Sequence, residues 1–162
     1  MVSEEAVTIF LSEFDLQVKE IRNAYDNLQE RFEKTRKEPV SKELVESIGY
    51  WLHNLYTAYE ALFEQVASFW ENSFQETGRY HMQLLKRMRL DIPGIRPPLL
   101  RSDESYLCLD ELRGFRHVFR YAYSYGLDDE RVFRLVGKVL AEKEAILRDI
   151  SEFRKAVQAM CS

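Results

Sequence analysis

The first forty residues carry a regular alternation of apolar and polar positions. Val7, Leu11, Phe14, Val18, Ile21, Tyr25, Leu28 and Phe32 are spaced by four and three, which aligns them on one helical face. Ser3 precedes two glutamates and suits an N-cap, and Pro39 in "KEPVS" predicts where the helix stops. The spacing returns in Leu44, Ile48, Leu52, Leu55, Tyr59, Leu62, Val66 and Phe69, with Gly78 expected to interrupt it. Each helix would hold about 30 residues and run about 45 Å at about 1.5 Å per residue. A short turn between them predicts antiparallel packing.

Past residue 78 the pattern shortens. A brief helix is expected from 80 to about 90, followed by "DIPGIRPPLL", which holds three of the chain's prolines and predicts a rigid, extended connector. "SDE" at 102–104 predicts the cap of a fourth helix running to about Tyr125, with Gly126 closing it. "LDDER" opens a last helix whose apolar stripe is Val132, Leu135, Val139, Ile146, Ile150, Phe153 and Val157. The expected fold is all-α: an up-and-down antiparallel bundle of four main helices plus a short one, in one domain spanning 1–162.

Composition agrees with helix. The 162 residues are 46% hydrophobic and 31% charged, and 6 Gly with 4 Pro leave little material for the turns of an all-β fold. Cys108 and Cys161 show no metal-binding spacing, so neither a disulfide framework nor a zinc site is expected. Three histidines with no His-x3-His pair give no metal site, and no phosphate-cradling glycine loop occurs. No cofactor is expected. The acidic start "MVSEEAVTIF" lacks the pattern of a signal peptide, and no apolar run reaches the length of a membrane span. A cytoplasmic protein without membrane contact is the expectation.

The net charge of −4 disfavours a protein that coats nucleic acid with its whole surface, but the charge is uneven. Residues 79–120 hold nine Lys and Arg against five Asp and Glu, so the rest of the chain carries −8. Within this region "RGFRHVFRYAYSYGLD", residues 113–128, stands out. At 100° per residue Leu112, Phe115, Phe119 and Ala122 form a core stripe, and Arg113, Arg116, Arg120 and Tyr123 form a second stripe beside it. His117, Tyr121 and Ser124 lie further round. Guanidinium groups on adjacent turns repel unless an anion neutralises them. Phosphate, or carboxylates of a neighbouring helix, would serve. His53 falls beside the core stripe of the second helix, as a half-buried structural histidine. His81 is expected to face solvent or cap a neighbour.

Arg116, His117, Arg120, Tyr121 and Tyr123, followed by "YGLD", resemble the signature helix of the HEPN superfamily, and the HepT-like proteins in particular. The resemblance runs through "YWLHNLYTAYEALFEQVASFWEN" and "RYHMQLLKRMRLDIPGIRPPLL", about residues 45 to 130. It implies a metal-independent endoribonuclease, the toxin of a toxin–antitoxin pair, working as a homodimer on RNA. The partner would be a minimal nucleotidyltransferase antitoxin. Carried over by position, Arg116 is the motif arginine that holds phosphate and His117 is the polar residue after it. Tyr123 is the tyrosine that the partner modifies with AMP in some members. Arg113 and Arg120 would steer the RNA backbone.

One position departs from the pattern. Tyr121 stands where the family has histidine. Histidine titrates near about 6.5 and exchanges protons at neutral pH, whereas tyrosine near about 10 stays protonated. Tyr121 is thus a poor base that can donate a proton or hydrogen bond, and His117 is the nearest substitute. Two readings follow: a ribonuclease of weakened activity, or a catalytically degenerate dimer serving as an interaction or nucleotide-binding module.

Overall fold

The computed structural model describes residues 2–71, 79–121 and 126–161. Among the described residues five helices follow in order: α1 Glu4–Lys37, α2 Lys42–Glu71, α3 Tyr80–Arg87, α4 Asp103–Arg120 and α5 Asp129–Ala159. This is the expected all-α, HEPN-like bundle of four main helices and a short one.

The caps lie where the sequence puts them. Ser3 Oγ accepts from Ala6 N–H, Ser102 Oγ from Ser105 N–H, and the Asp128 carboxylate from Glu130 and Arg131 N–H. Each satisfies donors that the first helical turn leaves open. Glu38, ahead of Pro39, is extended and ends α1, and Ser41 Oγ accepts from Leu44 N–H to start α2.

The predicted stripes form the core. Val7, Leu11, Phe14, Ile21, Tyr25 and Leu28 of α1 are buried against the α2 stripe, and the whole predicted α5 stripe is buried with them. Full burial of such side chains contributes about 1.5–3 kcal/mol each. The Tyr25 and Tyr59 hydroxyls bond to each other inside this core and fix α1 against α2. Helix α2 is the hub, packing on all four others. At Gly49 it comes so close to its neighbours that an added Cβ would lie 2.8 Å from Leu127 Cδ1 and 3.3 Å from the Phe119 ring.

Two boundaries differ from expectation. Helix α4 stops at Arg120 rather than near Tyr125, because the Tyr121 N–H turns inward to bond Phe119 and Val118 carbonyls. Beyond α3, N–H groups of Met88, Arg89 and Leu90 bond three residues back, so the winding tightens before the chain leaves it. Gly78, Ala122, Tyr123 and Ser124 lie outside the described residues.

The connector is anchored more firmly than its prolines imply. Ile92 to Ile95 is a turn closed by Ile95 N–H on Ile92 C=O at 2.9 Å, with Pro93 at its second position and Gly94 at φ 77 in its third. Such a turn requires positive φ at that place, which glycine adopts without strain. Arg96 then points inward. It is fully buried and donates to Glu71, and to the carbonyls of Arg87, Leu90 and Pro97.

Candidate active site

Helix α4 presents its arginines where α2 and α3 meet it, and two of the three are paired with carboxylates. Arg113 donates from Nε and Nη2 to Asp110 on its own helix, at 3.0 and 2.9 Å. Arg116 reaches across to α2, with Nη1 2.9 Å from Glu60 Oε1. Arg120 has no hydrogen bond or ion pair among the described residues and is exposed. The repulsion expected from their spacing is thus relieved by carboxylates at Arg113 and Arg116.

Glu60 is a charged side chain in an apolar place, only 7% exposed. Burying a carboxylate is costly unless it is paired and bonded. Arg116 provides one partner. His81, in the first turn of α3, provides the other, with Nδ1 2.8 Å from both carboxylate oxygens. One buried carboxylate therefore ties α2, α3 and α4 together. The Tyr56 hydroxyl, one turn earlier on α2, is buried close to Glu60. Burial, then the Glu60 charge, holds it protonated well above the usual tyrosine range.

Five of the six site residues singled out from the sequence, Arg113, Arg116, His117 and Arg120 of α4 and Tyr121 at its C-cap, line one cavity of about 400 Å³. Arg79, His81 and Met82 of the α3 end complete its lining. Arg113, Arg116 and Arg120 together meet only the carboxylates of Asp110 and Glu60 among the described residues, which leaves an excess of positive charge on this wall. The amino end of α3 adds partial positive charge, since Arg79 supplies no side-chain cap. His117 and Tyr121 stand at the rim with ring centroids 4.7 Å apart, and Tyr121 is 68% exposed. Tyr123 lies outside the described residues.

Arg116 is therefore tied to an acidic side chain and also open to a cavity. Among the described residues only its Nη1 bonds Glu60, and its Nε is buried with no hydrogen-bond partner. A planar fork of this kind suits a phosphate oxygen. The lining can hold an anion and, through its imidazoles, move a proton.

His53 sits behind α4 rather than in the cavity, with its ring 5.4 Å from that of Phe119. Burial first, then the positive charges of Arg116 and Arg120, lower its proton affinity. This is a local reading of the field that α4 projects. An anion bound by the two arginines should cancel their share of the shift. Titration of the His53 ring by NMR is expected to move to higher pH when inorganic phosphate is added. An unmoved His53 midpoint would place phosphate elsewhere.

Sequence reasoning passed over two members of this site, Glu60 and the paired role of His81. Glu60 had a legible signal, as a carboxylate inside the apolar run "LYTAYEALF". His81 had none, because its partner is 21 residues away on another helix.

Among the described residues no helix is long and apolar enough to cross a membrane, and no group of three or more His, Cys, Asp or Glu is placed to hold a metal ion. No curated protein and no solved structure matches the chain. The family model described as HepT-like protein matches residues 47–157, from early α2 into the last turn of α5. The span contains every side chain that lines the cationic cavity, and on that match the chain belongs to the HepT-like proteins of the HEPN superfamily.

Proposed function

We propose that this protein is a metal-independent endoribonuclease that cleaves single-stranded RNA at the α4 cavity, as the toxin half of a pair with a minimal nucleotidyltransferase. Two copies, packed with their α4 cavities adjoining, would form one groove along which the RNA backbone runs. The observation that carries the reading is Arg116, which lines the cavity while a buried carboxylate holds it in place.

The chemistry needs no group beyond the chain and the substrate. The ribose 2′-OH loses its proton, and its oxygen bonds to the adjacent phosphorus. The P–O5′ bond breaks, and O5′ takes up a proton. The products are a 2′,3′-cyclic phosphate and a 5′-OH. Negative charge grows on the non-bridging oxygens along the way, where Arg116 stabilises it. Arg113 and Arg120 hold flanking phosphates. His117 orients the scissile group at the rim, and Tyr121 donates a hydrogen bond there.

Incubating the purified full chain with a mixed-sequence RNA in excess EDTA tests this. Fragments ending in 2′,3′-cyclic phosphate, absent with Arg116→Ala, are expected. Equal background cleavage by both proteins would end the ribonuclease reading.

A second reading is favoured by Tyr121 at the motif histidine position and by its exposure. In it the dimer keeps the cationic cavity as a nucleotide-binding or interaction module and cleaves nothing. Tyr121→His separates the two, since strong cleavage appearing only in that variant would mark the natural protein as a degenerate enzyme.

A further inference from the structure

The motif position that supplies a histidine to the family holds Tyr121 here, so a proton acceptor has to come from elsewhere if the cavity cleaves RNA. The chain offers three histidines. His53 is behind α4, outside the cavity, with its protonation disfavoured. His117 lines the cavity but has no carboxylate partner among the described residues, and its ring lies against Tyr121. His81 both lines the cavity and is bonded to a buried carboxylate, while its side chain remains 47% exposed.

We propose that His81, oriented by Glu60, is the general base of this site and takes the place that Tyr121 leaves vacant. The proposal rests on the ribonuclease reading above and names the residue that performs its first step.

The geometry supports it in three ways. First, Nδ1 lies 2.8 Å from an acceptor-only carboxylate, which fixes the proton on Nδ1 and leaves the Nε2 lone pair available. A carboxylate behind an imidazole also stabilises the imidazolium that forms when Nε2 accepts a proton. Second, Glu60 Oε1 holds Arg116 Nη1 at 2.9 Å, so the phosphate-binding group and the base are anchored on one buried atom. Their separation cannot drift independently. Third, His81 is on α3 and Arg116 on α4, so base and phosphate grip approach the cavity from different walls. A nucleotide between them meets both at once.

The step balances without a co-reactant. Nε2 of His81 takes the 2′-OH proton as the 2′ oxygen bonds to phosphorus and the P–O5′ bond breaks. O5′ takes a proton from water at the exposed rim, and the imidazolium returns its proton to the hydroxide. Glu60 touches no substrate atom in this scheme and is a positioning residue.

A purely structural role for the His81–Glu60 bond, tying α3 to α2, is the competing account. Tyr80 already makes such a tie, with its hydroxyl 3.0 Å from Glu64 Oε1. The test therefore uses variants that keep or drop the tie separately. His81→Asn retains a side-chain donor towards Glu60 and lacks a base. His81→Ala drops both and leaves a space that imidazole fills.

Cleavage in EDTA and binding of a 2′-O-methyl RNA, which cannot react, are measured on the full chain for the wild type, both His81 variants, Glu60→Gln and Arg116→Ala. The expected fall in cleavage is about 10²–10⁴-fold for His81→Asn and His81→Ala. Their RNA affinity should stay within about threefold of wild type. Added imidazole should restore part of the His81→Ala rate and none of the Arg116→Ala rate. Glu60→Gln should lower kcat more than it raises KM.

Wild-type cleavage that Arg116→Ala abolishes and His81→Asn leaves intact would overturn the His81 assignment and keep the ribonuclease. Lost cleavage in His81→Ala with lost RNA binding and no imidazole rescue would make the contact structural, and would also overturn it. If the wild type cleaves nothing, both readings fall together. If His81→Ala does not fold, His81→Asn decides.

Discussion

Arg96→Ala is expected to cost about 3–5 kcal/mol of folding stability, the range for breaking one side of a buried ion pair. The side chain has no exposed surface, and Glu71, its partner at 2.8 Å, is 6% exposed. Removing the guanidinium leaves Glu71 with Arg87 Nε at 3.1 Å and strips a donor from three backbone carbonyls. Each buried acceptor left unpaired adds to the loss. With a urea m-value of about 2 kcal/mol/M, the midpoint should fall by about 1.5–2.5 M. Arg96→Lys should recover little, because a point charge cannot serve carbonyls and a carboxylate spread around a planar fork. A shift below about 0.5 M would mean that the connector is held by its prolines and turn alone.

This residue matters to function through position. Leu99 and Leu100 N–H both bond the Met88 carbonyl, so the connector is folded back on the end of α3. Arg96 pins that arrangement to Glu71 at the end of α2. Helices α2 and α3 also carry Glu60 and His81, and Glu60 in turn holds Arg116 of α4. Loosening the connector should therefore loosen the carboxylate junction beneath the cavity.

The second large effect belongs to Arg116, and its signature is a split between kinetic constants. Arg116→Ala is expected to lower kcat by about 10²–10³-fold, as for other groups that stabilise charge formed in the transition state. KM should rise only severalfold, from the lost phosphate contact. Arg120→Ala should raise KM comparably but with kcat nearly kept, because it holds ground-state and transition-state phosphates alike. Steady-state cleavage of a short fluorescent RNA reads both. Identical profiles for the two variants would remove the special role of Arg116 and leave an undifferentiated cationic surface.

The bundle was legible because its signal is periodic. Spacings of four and three in α1, α2 and α5 can place side chains on one face only, and nearly all of them are buried. Caps were legible as well, since Ser3, Ser102 and Asp128 act within three residues of themselves. Tyr121 as the end of α4 was not. The helical stripe continues in the sequence past that point, and the turn is set by backbone bonds inside the last turn. Arg96 was equally hidden. Beside prolines it reads as a solvated charge, and only the fold shows four groups converging on it.

The site divides in the same manner. The arginines, His117 and Tyr121 were found because they share one helix and one short stretch. Whether those arginines were neutralised inside the molecule or open to a ligand was undecidable from spacing. The answer depends on Asp110 three residues away, Glu60 on α2, and the cavity that Arg116 and Arg120 line. His81 gains its meaning from Glu60 alone. A contact of this kind leaves no periodic trace, whereas a carboxylate within an apolar helical run does flag that a cation must come to meet it.

Binding of a non-cleavable 2′-O-methyl RNA across a range of salt concentrations tests the central claim most directly, because it asks only whether the α4 cavity holds an RNA backbone. The logarithm of affinity should fall linearly with the logarithm of salt, and each lost phosphate contact should flatten the slope by about 0.7. Arg116→Ala combined with Arg120→Ala should therefore weaken binding and flatten the slope by about 1.4. Equal affinity and equal slope for the wild type and the double variant would contradict the account.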